Sequence, residues 1–297
     1  MLDVLLPVFA LVATGWALGR FGGVPPRPLA QTAFWVLSPA LIFESLRTAE
    51  LSLATTVVAF ALLHHGAMLL LALGAARVLF PDDAGARAAV GLVATFGNVG
   101  NLGLPVLLFA YGPEAVDVGA VYLATNTLLL ATVGIAVAGW DGGWAGWRRA
   151  VGSFLRVPWP YAVALAFLVR WTGYPALLAR ATGLLAAGAI PLFLLVLGLE
   201  LASVRIAHVA APAVGLAVLR LGAGGALGWA LAALLRAEGL LRGSLILEAS
   251  MPTAVNAFLV ASQFERRPDL AASVLFLSTL FSLGTLSLTL HLLGVPG

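Results

Sequence analysis

Two stretches of this sequence place polar groups where an apolar run should continue. The first reads Thr95-Phe96-Gly97-Asn98-Val99-Gly100-Asn101-Leu102-Gly103-Leu104-Pro105. The second reads Glu248-Ala249-Ser250-Met251-Pro252-Thr253-Ala254-Val255-Asn256. Amides donate through N–H and accept through C=O, so Asn98, Asn101 and Asn256 can hold a carboxylate or lend an oxygen to a cation. In a helix interior glycine costs about 1 kcal/mol and proline about 3, so both runs read as broken helices. The backbone groups released there cannot stay unpaired in hydrocarbon. They must face protein or a water-filled cavity, and a half-helix starting at the break presents free N–H groups to an anion. The chemistry is recognition of a small anion. The alternative is a pair of proline kinks whose amides only satisfy the broken backbone.

Four other ionisable positions interrupt apolar runs. Glu248, one turn before Pro252, is a candidate for binding a proton or a sodium ion, since an intramembrane acid is functional by default. Arg220 lies near the middle of its span. Its fork suits a substrate carboxylate, but a permanent pair with Glu248, Glu44 or Glu200 is the expectation. His64 and His65 read as hydrogen-bonded helix contacts, with a proton relay as the alternative. Asn126-Thr127 and Ser278-Thr279 either complete the core or bond between helices. Glu44 and Glu200 fall near span ends and read as interfacial.

The elements that carry these residues follow from composition. Of 297 residues, 61% are hydrophobic and 10% charged, where a soluble domain carries about 25% charged. Mean hydropathy is +1.04 and the pI is near 9.9. Too few charged groups exist to cover a soluble surface, so the class is all-α integral membrane protein. The 16 basic residues are all arginine and belong to loops rather than to a nucleic-acid surface. Without cysteine there is no disulfide or thiolate site. No H-E-x-x-H, G-x-S-x-G or Walker loop occurs, so the reading is not an enzyme and not an ATP-driven pump by itself. The N-terminus has no signal-peptide pattern.

Apolar runs give ten spans: 4–18, 29–46, 54–75, 88–110 and 116–138, then 160–171, 184–202, 209–235, 240–261 and 270–290. The first and sixth are short. Pro39 and Pro191 lie 152 residues apart, as do Asp117 and Asp269, and Asn126-Thr127 and Ser278-Thr279. Pro105 and Pro252 lie 147 apart. Each unit holds five spans, an odd number, so the second enters the membrane upside down, as in secondary transporters. The expected units are 1–139 and 160–297, joined by a linker at 140–159. In that linker Trp140, Trp144, Trp147, Val151 and Phe154 share one helical face, which reads as an interfacial amphipathic helix. Arginine bias places both termini outside the cytoplasm, in an inner membrane, with ten loop arginines inside and five outside.

The stretch Asn98–Pro105 resembles the first crossover of the auxin efflux carrier family, and Ala249–Phe258 its second. Leu6-Pro7-Val8-Phe9 with Gly15, the run Leu37–Phe43 and the run Ser278–Leu283 are similar too, so the resemblance covers essentially the whole chain. It implies the fold of bile-acid transporters and sodium/proton antiporters. Spans one, two, six and seven would form a scaffold, spans three to five and eight to ten a moving core, and scaffolds would pair into a homodimer. The short central loop resembles the compact bacterial branch, associated with malonate, malate and other small organic anions.

The expected function is therefore secondary transport of a small organic anion by alternating access. A passive anion channel and a non-transporting substrate sensor are the alternatives. The expected substrate contacts are Asn98, Asn101, Pro105, Asn126, Pro252, Thr253 and Asn256, with Glu248 and Arg220 as ion-coupling group or charge pair. No metal site and no organic cofactor are expected beyond a coupling sodium ion or proton. The partners are the anion and the bilayer, without nucleic acid.

Overall fold

The computed structural model describes residues 2–48, 51–139, 157–203 and 212–295. Among them are twelve helices and no strand. The first half holds α1 (Leu2–Arg20), α2 (Pro26–Thr48), α3 (Leu51–Leu79), α4 (Ala84–Val93), α5 (Val99–Tyr111) and α6 (Pro113–Ala138). The second holds α7 (Trp159–Thr172), α8 (Ala176–Ser203), α9 (Pro212–Leu234), α10 (Gly239–Ala249), α11 (Val255–Gln263) and α12 (Pro268–Leu292). Seven of these, α1, α2, α3, α6, α8, α9 and α12, are long and apolar enough to cross a membrane. The first run, short by sequence, extends to a 19-residue helix because Asp3 and Arg20 are accommodated in its first and last turns. The sixth stays short, since Gly173 at φ 81° ends α7 after 14 residues. The tryptophan-rich face of the linker lies outside the described residues.

The fourth and ninth apolar runs each divide into two helices, α4 with α5 and α10 with α11. Proline is accommodated differently at the two breaks. Pro105 has no N–H to donate, and the backbone before it winds as a π turn over Val99–Gly103. Pro252 lies in the non-helical segment itself. A second π turn, Ala33–Leu37, interrupts α2, and a third, Leu130–Gly134, interrupts α6.

Packing divides the helices into two groups. α1 runs along α8, and α2 packs on both α7 and α8. The α1–α8 approach is very close: a Cβ on Gly15 would strike the Leu195 carbonyl, and one on Gly198 the Val12 carbonyl. Small residues allow such contact where lipid offers no hydrophobic drive between helices. The second group joins α3 to α4, α6 and α9, and α9 to α10 and α12. The groups meet where α2 touches α6 and α8 touches α5.

At one end of the second group, Asp83 ties two loops together. Its Oδ1 accepts from the Ala86 N–H at 2.8 Å, capping α4, and its Oδ2 accepts from Arg267 Nη1 at 2.9 Å. The Ala86 N–H, and after it Arg267, holds this carboxyl below the ordinary carboxylate range. A lowered folded pKa adds stability that is present above the unfolded value near 4 and is lost as pH falls through the folded value. Asp83→Ala should cost about 1 kcal/mol through the lost cap. The ion pair, about 40% exposed on both sides, adds at most a few tenths. Thermal unfolding in detergent should show this gap at pH 7, narrowing as pH drops below about 4.

Candidate functional site

The two breaks meet. Gly97 and Thr253 face each other as an antiparallel pair. The Asn98 N–H donates to the Pro252 carbonyl at 2.7 Å, and the Ala254 N–H donates to the Phe96 carbonyl at 2.9 Å. Each break thereby satisfies part of the other's backbone, the requirement that hydrocarbon imposes. Thr253 fixes the crossing from within: its hydroxyl donates to the Val93 carbonyl at 2.8 Å, and its N–H donates to Ser278 Oγ at 3.1 Å.

Four helix ends converge at this crossing, and they are sorted by sign. The C-terminal ends of α4 and α10 carry unsatisfied carbonyls and partial negative charge. Arg220 of α9, 1% exposed, answers both. Its Nη1 donates to the carbonyls of Thr95 at 3.0 Å and Ala94 at 3.4 Å. Nε donates to Met251 at 3.0 Å, and Nη2 to Ala249 at 3.4 Å. This corrects the expectation of a permanent pair with an acid. Among the described residues no ion pair joins Arg220 to Glu248, Glu44 or Glu200, and its partners are carbonyls. Glu44 pairs instead with Arg47.

The N-terminal ends of α5 and α11 have the opposite polarity, and they border a cavity of about 70 Å³. Gly100, Asn101, Val255 and Asn256 come from those first turns, where helical geometry leaves N–H groups without intrahelical partners. Asn98 lines the same space; it is 4% exposed, and its Nδ2 has no hydrogen-bond partner among the described residues. Asn126 and Thr127 of α6 line it, as do Ala33, Phe34 and Ser38 of α2 and Trp159 of α7. The π turns of α2 and α5 both reach the wall, in keeping with the frequency of such turns at functional sites.

Of the residues singled out by sequence, Asn98, Asn101, Asn126 and Asn256 line this cavity. Pro105, Pro252 and Thr253 do not line it. Pro252 and Thr253 build the crossing, and Pro105 is buried in α5. Arg220 lies behind the cavity, at the opposite helix ends. Glu200 was missed. Read as interfacial, it lines the cavity from α8, and its Oε2 is buried without a hydrogen-bond partner among the described residues. Its signal was the spacing Phe193, Val196, Glu200, which puts all three on one helical face.

Glu248 is fully buried, and neither carboxyl oxygen has a hydrogen-bond partner among the described residues. It lies against glycines of α5 and α6: a Cβ on Gly103 would collide with Oε2, and one on Gly119 would come within 2.9 Å of Oε1. His64 and His65 link helices. Tyr122 OH lies 2.9 Å from His64 Nδ1, and His64 Nε2 is 3.2 Å from the Gly224 carbonyl, joining α3 to α6 and α9. A neutral His64 thus donates from Nε2 and accepts at Nδ1 from the tyrosine. His65 Nε2 lies 2.8 Å from the Asn126 amide, buttressing the cavity wall from behind.

A family model described as a membrane transport protein matches residues 1–140 and 152–290. The chain belongs to this family, the auxin efflux carrier family. Among other members, an "uncharacterized transporter" of Methanothermobacter thermautotrophicus is 29% identical over 296 residues, covering 96% of each chain. The "uncharacterized transporter MJ1031" of Methanocaldococcus jannaschii is 27% identical over 210 residues, 66% of this chain and 65% of its own length. As a family member with seven helices able to span a bilayer, this auxin efflux carrier relative is a multi-pass membrane transport protein.

Proposed function

We propose that this protein is a secondary transporter that carries a small organic anion by alternating access, with the anion bound at the crossing of the two broken helices. The observation that carries the reading is the sorting of helix ends. Two N-termini and the unpartnered Nδ2 of Asn98 border one cavity, while Arg220 covers both C-termini. A carboxylate there gains from amide donors and from the positive ends of two half-helices without a fixed cation in the wall.

The rest of the mechanism follows the same logic. The two halves repeat one element order, three helices, a broken pair and a long helix, which supports two inverted five-span units. The α1, α2, α7 and α8 group is the scaffold, and the group around the crossing is the core that moves against it. Exposed apolar side chains on α1, α7 and α8, such as Leu6, Trp171 and Leu184, supply the surface for lipid and for a scaffold-to-scaffold homodimer. The cavity is walled by the first half of α2, the start of α7 and the end of α8, which share the arginine-rich side. With both termini outside, that side is cytoplasmic, and the protein faces inward.

Half-helix C-termini are where transporters of this kind hold a coupling cation. Here Arg220 already engages those carbonyls, and Glu248, fully buried and outside the cavity lining, is read as holding its proton whether or not the anion is bound. An ionised carboxylate without partners costs several kcal/mol in such a place, so a proton fits its bare glycine-lined niche better than hydrated sodium does.

Counterflow in proteoliposomes tests this reading. With unlabelled malonate or malate inside, labelled carboxylate outside should accumulate transiently and saturate with concentration. Linear flux without trans-stimulation would indicate a channel, and binding without flux a sensor.

A further inference from the structure

The cavity holds one charged residue among its described lining, and that residue is an acid. Glu200 stands on α8, across from the amides of α5, α6 and α11. An anion seated at the two helix N-termini would share this small space with it. Like charges a few ångströms apart in a poorly solvated cavity exclude each other. Either the anion is refused or the acid is neutral while the anion is bound.

We propose that Glu200 is the proton-binding group of the substrate cavity, so that an organic anion enters together with one proton that Glu200 takes up. The inference rests on the anion reading above. The proton comes from the aqueous phase on the arginine-rich side, forms an O–H bond on one carboxyl oxygen, and returns to that phase when the anion leaves. No electrons move, and because the proton stays on Glu200 while the core carries the anion, loading a monoanion is neutral but its crossing moves one negative charge. The geometry adds a directional element: the acid sits on the scaffold and the amides on the core. A core that slides carries the amides and the anion away from Glu200, so the proton controls loading and release on one side only.

Other titratable groups on the elements around Glu200 are few among the described residues. Arg20 at the end of α1 and Arg27 at the start of α2 are exposed at the same rim. Asp3, Glu44 and Arg180 lie at the opposite ends of α1, α2 and α8, and on α5 the titratable group is Tyr111, at its far end. On α6, Glu114 and Asp117 are in the first two turns, away from the cavity, Tyr122 is bonded to His64 and outside the lining, and Asn126 of its wall is backed by His65. On α7, Tyr161 and Arg170 are not part of the lining.

The test measures binding of malonate and of methanedisulfonate, which stays ionised throughout, to the purified full chain by calorimetry between pH 6 and 8.5. Calorimetry in buffers of different ionisation enthalpy also counts protons. For the wild type, affinity for both probes should weaken with rising pH, by up to tenfold per pH unit, with close to one proton taken up per anion. Glu200→Gln should bind both probes with a flat pH profile and no proton uptake, while Glu265→Gln, exposed in a loop, should follow the wild type. A pH-independent wild type without proton uptake would overturn the proposal and leave the anion site standing; so would a Glu200→Gln protein that keeps the wild-type slope. If Glu200→Gln does not fold, the wild-type proton count still decides. Binding of an organic amine to the wild type, lost in Glu200→Gln, with neither anion bound at any pH, would overturn the anion reading and this inference together.

Discussion

Arg220→Met should remove most of the folded protein. The guanidinium makes two well-placed bonds at 3.0 Å, to Thr95 and Met251, and two longer ones to Ala94 and Ala249. Bonds to a charged group contribute about 1.5–3 kcal/mol each, so the two short ones alone amount to about 3–6 kcal/mol. A typical domain has about 5–15 kcal/mol in total. Methionine matches the stem of the side chain but leaves the carbonyls at the ends of α4 and α10 without the donor they share. Arg220→Lys should fall between, because one ammonium cannot span carbonyls from both helices. Fluorescence-detected size exclusion and thermal unfolding in detergent check this: the methionine variant should elute mainly as aggregate, and any folded fraction should melt well below the wild type. A methionine variant that melts within a few degrees of the wild type would mean that the carbonyls find other partners.

How much of this was readable beforehand depends on the distance over which each cause acts. The breaks were legible because glycine and proline act locally: Gly97, Gly100 and Gly103 with Pro105, and Pro252 alone, mark where helices cannot continue. The amides were legible because Asn in an apolar run needs a reason, and Asn98, Asn101, Asn126 and Asn256 share one cavity wall. The partner of Arg220 was not legible. Sequence shows side chains, so an acid is the expected counter-charge, whereas the charge is met by main-chain carbonyls at two helix ends that come together only in three dimensions. Thr253 looked like a ligand for a similar reason; its hydroxyl is used by Val93, 160 residues away. Glu200 was assigned to the interface from its place near a helix end. The cavity reaches it because the start of α2 and the start of α7 stand beside that end of α8. The π turn of α2, Ala33-Phe34-Trp35-Val36-Leu37, left no composition signal.

The site stands or falls on Asn101. It lies in the first turn of α5, in the cavity wall, where its amide and the helix N-terminus point toward the same small space. Leucine has nearly the same size and the position borders a cavity, so the fold should persist, with a melting temperature close to the wild type. The variant loses one donor, worth about 1.5–3 kcal/mol against a charged ligand, and every 1.4 kcal/mol is tenfold in Kd. The decisive measurement is therefore the Kd of the tightest-binding anion, chosen from a panel of mono- and dicarboxylates that includes malonate and malate, for the wild type and for Asn101→Leu at one pH. A rise of tenfold or more in a protein that melts like the wild type is the expected result. An unchanged Kd in that protein would contradict an anion site at the helix crossing.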